Sequence, residues 1–308
     1  MAGRAKNVEV EVEGRALKLS NLDKVLYPAA GFTKAEVLGY YARIAPALLP
    51  HLGDRALTLN RFPDGPAGPS FYEKNCPRHR PEWVGVHPVE GDDGPIDFCR
   101  IDSVAALTWV ANLAALELHT SMARAVDPDT PTMVVFDLDP GPPAAVLQCA
   151  EVALQVRTAL ADLGLDCVVK TSGSKGLQVY LPLNTAATYA ATSGFSKDLA
   201  QTLERAAPDL VVSVQRKSLR TGKVLVDWSQ NSRHKTTVCA YSLRARERPT
   251  VSTPLQWDEV EGAVEAGDDS LLRFETAEVL DRVERMGDLW APTLALAQEL
   301  PDGVATPG

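Results

Sequence analysis

Three aspartates stand in strand-like settings along this chain: Asp137 and Asp139 in Met133-Val-Val-Phe-Asp-Leu-Asp139, and Asp227 in Val224-Leu-Val-Asp-Trp228. In a β-strand residues i and i+2 share a face, so Asp137 and Asp139 point the same way while Phe136 and Leu138 point into packing. Two neighbouring carboxylates repel, and a divalent cation relieves that repulsion; hard oxygen donors select Mg²⁺ or Mn²⁺. A third carboxylate from another strand would complete a two-metal site, which steadies the attacking and leaving oxygens of phosphoryl transfer. An Asp-x-Asp is also an ordinary polar strand end, so the pair carries weight only in company.

That company begins with Lys170-Thr-Ser-Gly-Ser-Lys-Gly176, which lies between the apolar runs Cys167-Val-Val and Leu177-Gln-Val-Tyr-Leu. Glycines let successive backbone N–H groups converge on an anion, hydroxyls add donors, and Lys175 supplies a point charge for a triphosphate. The loop is not a Walker A motif, which needs a helix behind it where this chain has a strand. Alone it reads rather as an ordinary hairpin turn. Around the third aspartate the charge changes sign: Arg216 to Arg248 holds nine Lys or Arg against two acids, whereas Asp258 to Asp288 holds eleven acids against three arginines. The whole chain has a net charge of -9. An acidic total argues against nucleic acid, because Lys and Arg on phosphates supply most non-specific affinity. The local basic stretch restores that possibility.

An Asp-x-Asp ending a strand also suggests phosphatases of the haloacid dehalogenase type. That family expects Thr or Val two residues after the second Asp, and here Pro140 and Gly141 follow. A closer resemblance runs through most of the chain. Asn21-Leu-Asp-Lys-Val-Leu-Tyr-Pro28, Phe71-Tyr-Glu-Lys-Asn75, Leu113-Ala-Ala-Leu-Glu-Leu-His119, Val135-Phe-Asp-Leu-Asp-Pro-Gly141, Thr171-Ser-Gly-Ser-Lys-Gly176, Val226-Asp-Trp-Ser-Gln-Asn231 and Tyr241-Ser-Leu-Arg-Ala-Arg246 resemble, in order, the polymerase domain of bacterial ligase D and its stand-alone relatives, within the archaeo-eukaryotic primase superfamily.

The resemblance implies roles residue by residue. Asp137, Asp139 and Asp227 would be catalytic and hold two ions, Mn²⁺ or Mg²⁺. Ser172, Lys175, Gln178, Arg244 and Arg246 would take the triphosphate of an incoming NTP or dNTP, with His119 near its sugar. Asn21, Lys24 and Lys34 match residues that grip a 5′-phosphate across a DNA gap or break. Phe71 and Tyr72 match aromatics that stack on template bases, and Arg220 lies in a loop that reaches toward the primer. Plainer readings stand beside these. Lys34 sits in Thr33-Lys-Ala-Glu36, a capping box whose helix N-terminus is itself an anion site; Phe71 and Tyr72 could be core aromatics, and His119 a packed histidine. Two positions depart from the family pattern. Gln178 stands where relatives carry a histidine, and Asn60 where some carry a lysine that touches DNA.

Strands are expected at Val8 to Val12, Thr132 to Asp137, Cys167 to Lys170, Gln178 to Leu181, Leu210 to Val214, Val224 to Trp228 and Thr236 to Tyr241. Helices are expected at Lys34 to Leu49, Val104 to His119, Pro143 to Leu163 with Gly164 as stop, Ala186 to Ala206 and Thr276 to Arg285. The class is therefore mixed α/β (α+β), and the resemblance implies a primase-polymerase fold with an antiparallel-rich catalytic sheet packed against an amino-terminal α/β lobe. A single domain over about 1–290 is expected, with lobes of about 1–125 and 126–290 and a carboxy-terminal tail over 291–308 that frays from Pro301.

Five cysteines without Cys-x-x-Cys spacing are expected to be reduced thiols. Cys76, His79, His87 and Cys99 are four possible zinc ligands with irregular spacing. No signal peptide or membrane-spanning run is visible, so a cytoplasmic, nucleoid-associated protein is expected. With the resemblance, the function expected is DNA-templated nucleotidyl transfer that extends primers and fills short gaps at breaks bearing a 5′-phosphate, with ribonucleotides preferred. No Lys-x-Asp-Gly ligase motif is present, so a separate DNA ligase and a Ku-like protein are the expected partners. A catalytically weak DNA-end-binding module and a metal-dependent phosphohydrolase are the alternatives; the presence of all three aspartates favours an enzyme.

Overall fold

The computed structural model describes residues 7–91 and 93–301. The chain opens with a hairpin, β1 (Asn7–Val12) and β2 (Arg15–Ser20), then a ribbon of β3 (Val25–Tyr27) and β4 (Phe32–Thr33) that feeds α1 (Lys34–Leu48). Next come β5 (Arg55–Arg61), β6 (Phe71–Glu73), β7 (Val86–Gly91), β8 (Gly94–Cys99), α2 (Val104–Asn112), β9 (Ala115–Arg124) and β10 (Asp127–Pro131). The second half runs β11 (Met133–Pro140), α3 (Val146–Ala161), β12 (Val168–Thr171), β13 (Leu177–Pro182), α4 (Tyr189–Ala206), β14 (Val211–Val212), β15 (Val224–Asp227) and β16 (Thr236–Val238). It ends with β17 (Pro254–Leu255), α5 (Trp257–Ala266), α6 (Thr276–Met286) and α7 (Pro292–Ala295).

Two sheets organise the molecule. One has the order β10-β9-β5-β6, with β16 also paired to β9; the other has six strands in the order β14-β15-β11-β13-β12-β17. Every pairing in the second is antiparallel except β14 with β15. The expected mixed α/β architecture with an antiparallel-rich catalytic sheet is thus present. Strand alternation decides what each face of that sheet does. Val134, Phe136 and Leu138, with Leu177, Val179, Val224 and Val226 of the neighbouring strands, pack on α3 and α4 in one apolar core. Val135 and Tyr180 belong instead to the core that holds α1, α2 and the first sheet. Asp137 and Asp139 share the parity of Val135, so they face the cleft between the sheets.

Each strand expected from the sequence is present, several of them shorter, and α1 begins at the expected capping box: the Glu36 carboxylate accepts from Thr33 N at 2.7 Å. The run from Val104 to His119 is different. It is helical only to Asn112; Ala114 then takes a left-handed turn (φ 59°) and β9 starts at Ala115. A buried strand and a buried helix are both apolar on every side, so periodicity could not separate them. The docked segment after α6 was also not legible. Asn184 Nδ2 donates to Thr293 O and Leu296 O, and the Gln298 amide pairs with Asp166 and with Pro182 O. Fraying from Pro301 concerns residues 302–308, which lie outside those described.

One cysteine expectation is corrected. Cys76 and Cys99 form a disulfide across 23 residues, so they are not reduced thiols; Cys149, Cys167 and Cys239 are free. Nor do Cys76, His79, His87 and Cys99 form a zinc site, because the disulfide uses both sulfurs, His87 Nε2 bonds Gly53 O and His79 stacks on Trp109. A spacing of 23 has no sequence signature; only the approach of the segment after β6 to the end of β8 makes the pair. Among the described residues no helix is long and apolar enough to cross a membrane.

Candidate active site

The register of the second sheet places Gln178, Asp137 and Asp227 in one rank across β13, β11 and β15, since Asp137 is the partner of both the others. Asp139 lies two residues further along β11. Directly opposed cross-strand side chains have Cβ atoms about 4.5–5.5 Å apart, and like charges there destabilise one another. Burial, then Asp139, then Asp227 push the Asp137 carboxyl up to about 7, against the pull of the Gln178 amide. Asp139 is raised too, by burial and by Asp227, with Arg220 and Arg244 opposing. Crowded, desolvated carboxylates of this kind are stabilised by a bound cation.

As donors, Asp137 and Asp139 fit a hard divalent ion: both line a cleft of about 320 Å³. Asp227 is already hydrogen-bonded. Its Oδ1 accepts from Ser229 N and Oγ at 2.9 and 2.6 Å, and its Oδ2 accepts from Gln230 Nε2 at 3.0 Å. Among the described residues no three His, Cys, Asp or Glu side chains stand close enough to hold an ion as they are. Asp227 is thus tied to the turn over Ser229 and Gln230 that follows β15.

The same cleft gathers the remaining residues expected to meet a nucleotide: His119, Ser172, Lys175, Gln178, Arg244 and Arg246. The loop that carries Ser172 and Lys175 hugs the aspartate strand. A Cβ on Gly176 would lie 1.9 Å from Leu138 O, and Gly173 has φ 66° with Val251 backbone 2.6 Å from its would-be Cβ. Only glycine allows this approach. Gly141 is pinned likewise, since a Cβ there would lie 1.9 Å from Arg220 O, so the loop of Arg220 abuts the end of β11; the Arg220 guanidinium donates to the Gln215 side-chain and backbone oxygens.

One organiser of the cleft was not singled out from the sequence. Glu117, 5% exposed, accepts from Arg244 Nε (2.9 Å), His119 Nε2 (3.0 Å), Asn60 Nδ2 (3.1 Å) and Ala245 N (3.0 Å). Burial raises a carboxyl, but the His119 hydrogen bond and the Arg244 charge win and hold Glu117 well below the usual range. An ionised carboxylate only accepts, so His119 donates through Nε2, and burial keeps its imidazole from charging. The i, i+2 pairing of Glu117 and His119 exists because this segment is a strand. Asn60 is buried and turned to Glu117, which makes it a support of the cleft rather than a surface contact.

β6 divides its aromatics between two regions. Tyr72, exposed, meets His119 edge-on at 5.6 Å, beside the cleft. Phe71, also exposed, covers the Arg61 guanidinium at 5.0 Å, so neither is a core aromatic. The charge of Arg61 is in turn felt at Lys34, with that of Lys24. Lys34 is buried, donates to Ser20 O at 2.7 Å, and is pushed down to about 8 by burial and then by the charges of Lys24 and Arg61. Lys24 donates to Asp64 at 2.6 Å and to Pro63 O at 2.7 Å. Asn21 (φ 55°) makes the turn that brings Lys24 to the N-terminus of α1, through Lys34 N to Lys24 O at 2.8 Å. Asn21, Lys24 and Lys34 are therefore gathered in one patch, with Arg61 as an unforeseen fourth member.

Comparison with known proteins gives a consistent result. The LigD primase-polymerase domain model matches residues 33–290. The multifunctional non-homologous end joining protein LigD of Mycolicibacterium smegmatis is 43% identical over 278 residues, 90% of this chain and 36% of that protein. The bifunctional LigD of Bacillus subtilis is 31% identical over 272 residues, 88% of this chain and 43% of that protein. The chain thus spans less than half the length of these relatives. The solved polymerase domain from Mycobacterium tuberculosis ligase D in complex with DNA superposes with a TM-score of 0.84 at 41% identity, covering 92% of this chain and 99% of that one.

Proposed function

The chain belongs to the LigD primase-polymerase domain family, and from that premise we propose that it is a template-dependent nucleotidyltransferase. It extends a DNA primer across short gaps at breaks and prefers ribonucleotides. The observation that carries this reading is the rank of Asp137 and Asp227 in direct register, with Asp139 beside them and the cations Lys175, Arg244 and Arg246 across one cleft. Carboxylates and cations lining one cleft suit the transfer of a phosphoryl group bearing a polyphosphate leaving group.

Asp137, Asp139 and Asp227 would hold two Mn²⁺ or Mg²⁺ ions, which when bound acidify the primer hydroxyl and screen the triphosphate. The protein's own residues do the rest. Ser172 and Lys175 receive the triphosphate, and Arg244, held by Glu117, faces charge growing on the leaving pyrophosphate. His119 donates through Nε2 to Glu117, which leaves Nδ1 to accept from a sugar hydroxyl. A site built to pair a hydroxyl disfavours the analogue that lacks it. Tyr72 stacks near the templating base, Arg220 nears the primer, and the patch of Asn21, Lys24 and Lys34 takes the 5′-phosphate beyond the gap. A ligase activity and a Ku-like end-binding protein would act with it at the chromosome.

The test is extension of a primer on a gapped duplex with a 5′-phosphate, with template and without, in Mn²⁺, comparing ATP with dATP. Templated addition with ATP favoured is the expected outcome, and His119→Ala should narrow the ratio. Release of phosphate from nucleotide without extension would instead support a phosphohydrolase, and DNA binding with no chemistry an end-binding module.

A further inference from the structure

The rank that contains the aspartates does not stop at Gln178. Lys170 of β12 is the register partner of Gln178, so Lys170, Gln178, Asp137 and Asp227 stand side by side across four adjacent strands. Lys170 is only 1% exposed. Its Nζ donates to Gln178 Oε1 at 2.6 Å and to Ser252 Oγ at 2.7 Å, and it faces the rings of Tyr180 and Trp290 at 5.6 and 5.9 Å. Among the described residues no carboxylate bonds it directly. A buried ammonium without an acidic partner is costly, and such groups are kept where they are fully hydrogen-bonded.

The Gln178 amide stands between this cation and Asp137, with Nε2 donating to Asp137 Oδ1 at 3.0 Å. In their charged forms the ammonium can only donate and the carboxylate can only accept. The amide can satisfy both in one orientation alone, with its oxygen to Lys170 and its nitrogen to Asp137. If it flipped, Oε1 would lie against the carboxylate and Nε2 against the ammonium, two repulsions in a low-dielectric setting.

We propose that Lys170 is a positioning residue for the nucleotide-adding site: it locks the Gln178 amide and through it the carboxylate of Asp137. The lock engages Oδ1, fixes the side chain, and leaves Oδ2 to face the cleft. Groups that orient a metal-binding side chain from behind typically account for about 10- to 100-fold in metal affinity. This rests on the polymerase reading, and the experiment separates the two. Mn²⁺ binding is measured by the loss of the free-ion electron paramagnetic resonance signal, without DNA or nucleotide, for wild type, Lys170→Met, Gln178→Leu and the double variant; nucleotide addition is measured in parallel.

Methionine keeps the apolar stem of lysine and removes its donors. Each single variant should weaken Mn²⁺ binding about 10-fold or more and lower kcat more than it raises KM. The double variant should be no worse than the weaker single one, because both substitutions break one chain of bonds. Wild-type Mn²⁺ binding by Lys170→Met, or losses that multiply in the double variant, would overturn the proposal. Should Lys170→Met lose its cooperative thermal transition, Gln178→Leu and Ser252→Ala decide: both weaken Mn²⁺ binding if the lock exists, and unchanged binding in both overturns it. If wild type binds Mn²⁺ but adds no nucleotide, the polymerase reading fails while the lock is still judged on binding.

Discussion

The catalytic rank and the amino-terminal patch are electrostatic opposites built by similar means. In the rank, Asp137, Asp139 and Asp227 crowd negative charge on adjacent positions, and burial raises Asp137 to about 7. In the patch, Lys24, Lys34 and Arg61 crowd positive charge, and burial lowers Lys34 to about 8. Each pays for its charge with displaced titration, and on the proposed function each would be relieved by a ligand of the opposite sign: a divalent cation in the first, a phosphate in the second. They differ in mounting. The rank lies in the middle of a six-stranded sheet backed by helices, whereas the patch hangs on a tight turn, a helix start and the end of β5. The first suits chemistry that tolerates little displacement, and the second suits capture of a DNA end.

That contrast can be broken at the rank first. Asp137→Ala or Asp139→Ala should lower nucleotide addition by roughly 1000-fold or more, since bound ions supply several kcal/mol to phosphoryl transfer. DNA binding, measured by anisotropy, should survive because the patch is separate. Extension within a few-fold of wild type would show that these carboxylates do not carry the reaction.

A smaller effect on nucleotide addition is expected at Glu117. Glu117→Ala removes the acceptor shared by Arg244, His119, Asn60 and Ala245 N. Breaking a buried pair by deleting one partner costs about 3–5 kcal/mol, so urea unfolding should shift to a lower midpoint by that order. In the protein that remains folded, KM for the nucleotide should rise more than kcat falls, because the arginine survives without its support. An unchanged unfolding midpoint would remove Glu117 from the centre of the site.

The patch sharpens the comparison most gently. Lys34 in the free protein sheds its proton as pH passes about 8, and a bound phosphate favours the charged form. The preference for a gap with a 5′-phosphate over one with a hydroxyl should be complete below that pH. It should then shrink as pH rises toward 10, by at most about tenfold per unit for one linked proton. Lys24→Ala with Lys34→Ala should abolish the preference at every pH. A preference that stays flat from pH 7 to 10 would mean that another group grips the phosphate.

Much of the site was readable because its chemistry follows short-range rules. Strand alternation was enough to put Asp137 and Asp139 on one face, and the capping box was enough to start α1 at Lys34. Glu117 is not legible for the same reason that Val104 to His119 reads as one helix: an apolar run hides its own period, and the i, i+2 contact with His119 appears only once Ala115 starts a strand. The Cys76–Cys99 disulfide escaped for a related reason, since no local pattern distinguishes two cysteines that meet from two that do not.

What the linear chain determined by itself is therefore the inventory: carboxylates with strand parity, a glycine-rich loop with a lysine, and a basic stretch inside an acidic protein. These depend on residue type and near-neighbour spacing, which folding does not alter. What tertiary structure alone decided is register. Strand pairing among β12, β13, β11 and β15 sets Lys170 beside Gln178, Gln178 beside Asp137, and Asp137 beside Asp227. Shifting any one strand by a single residue would turn its member of the rank into the opposite core. That choice is made by the packing of both faces of the sheet at once, and no segment of the sequence contains it.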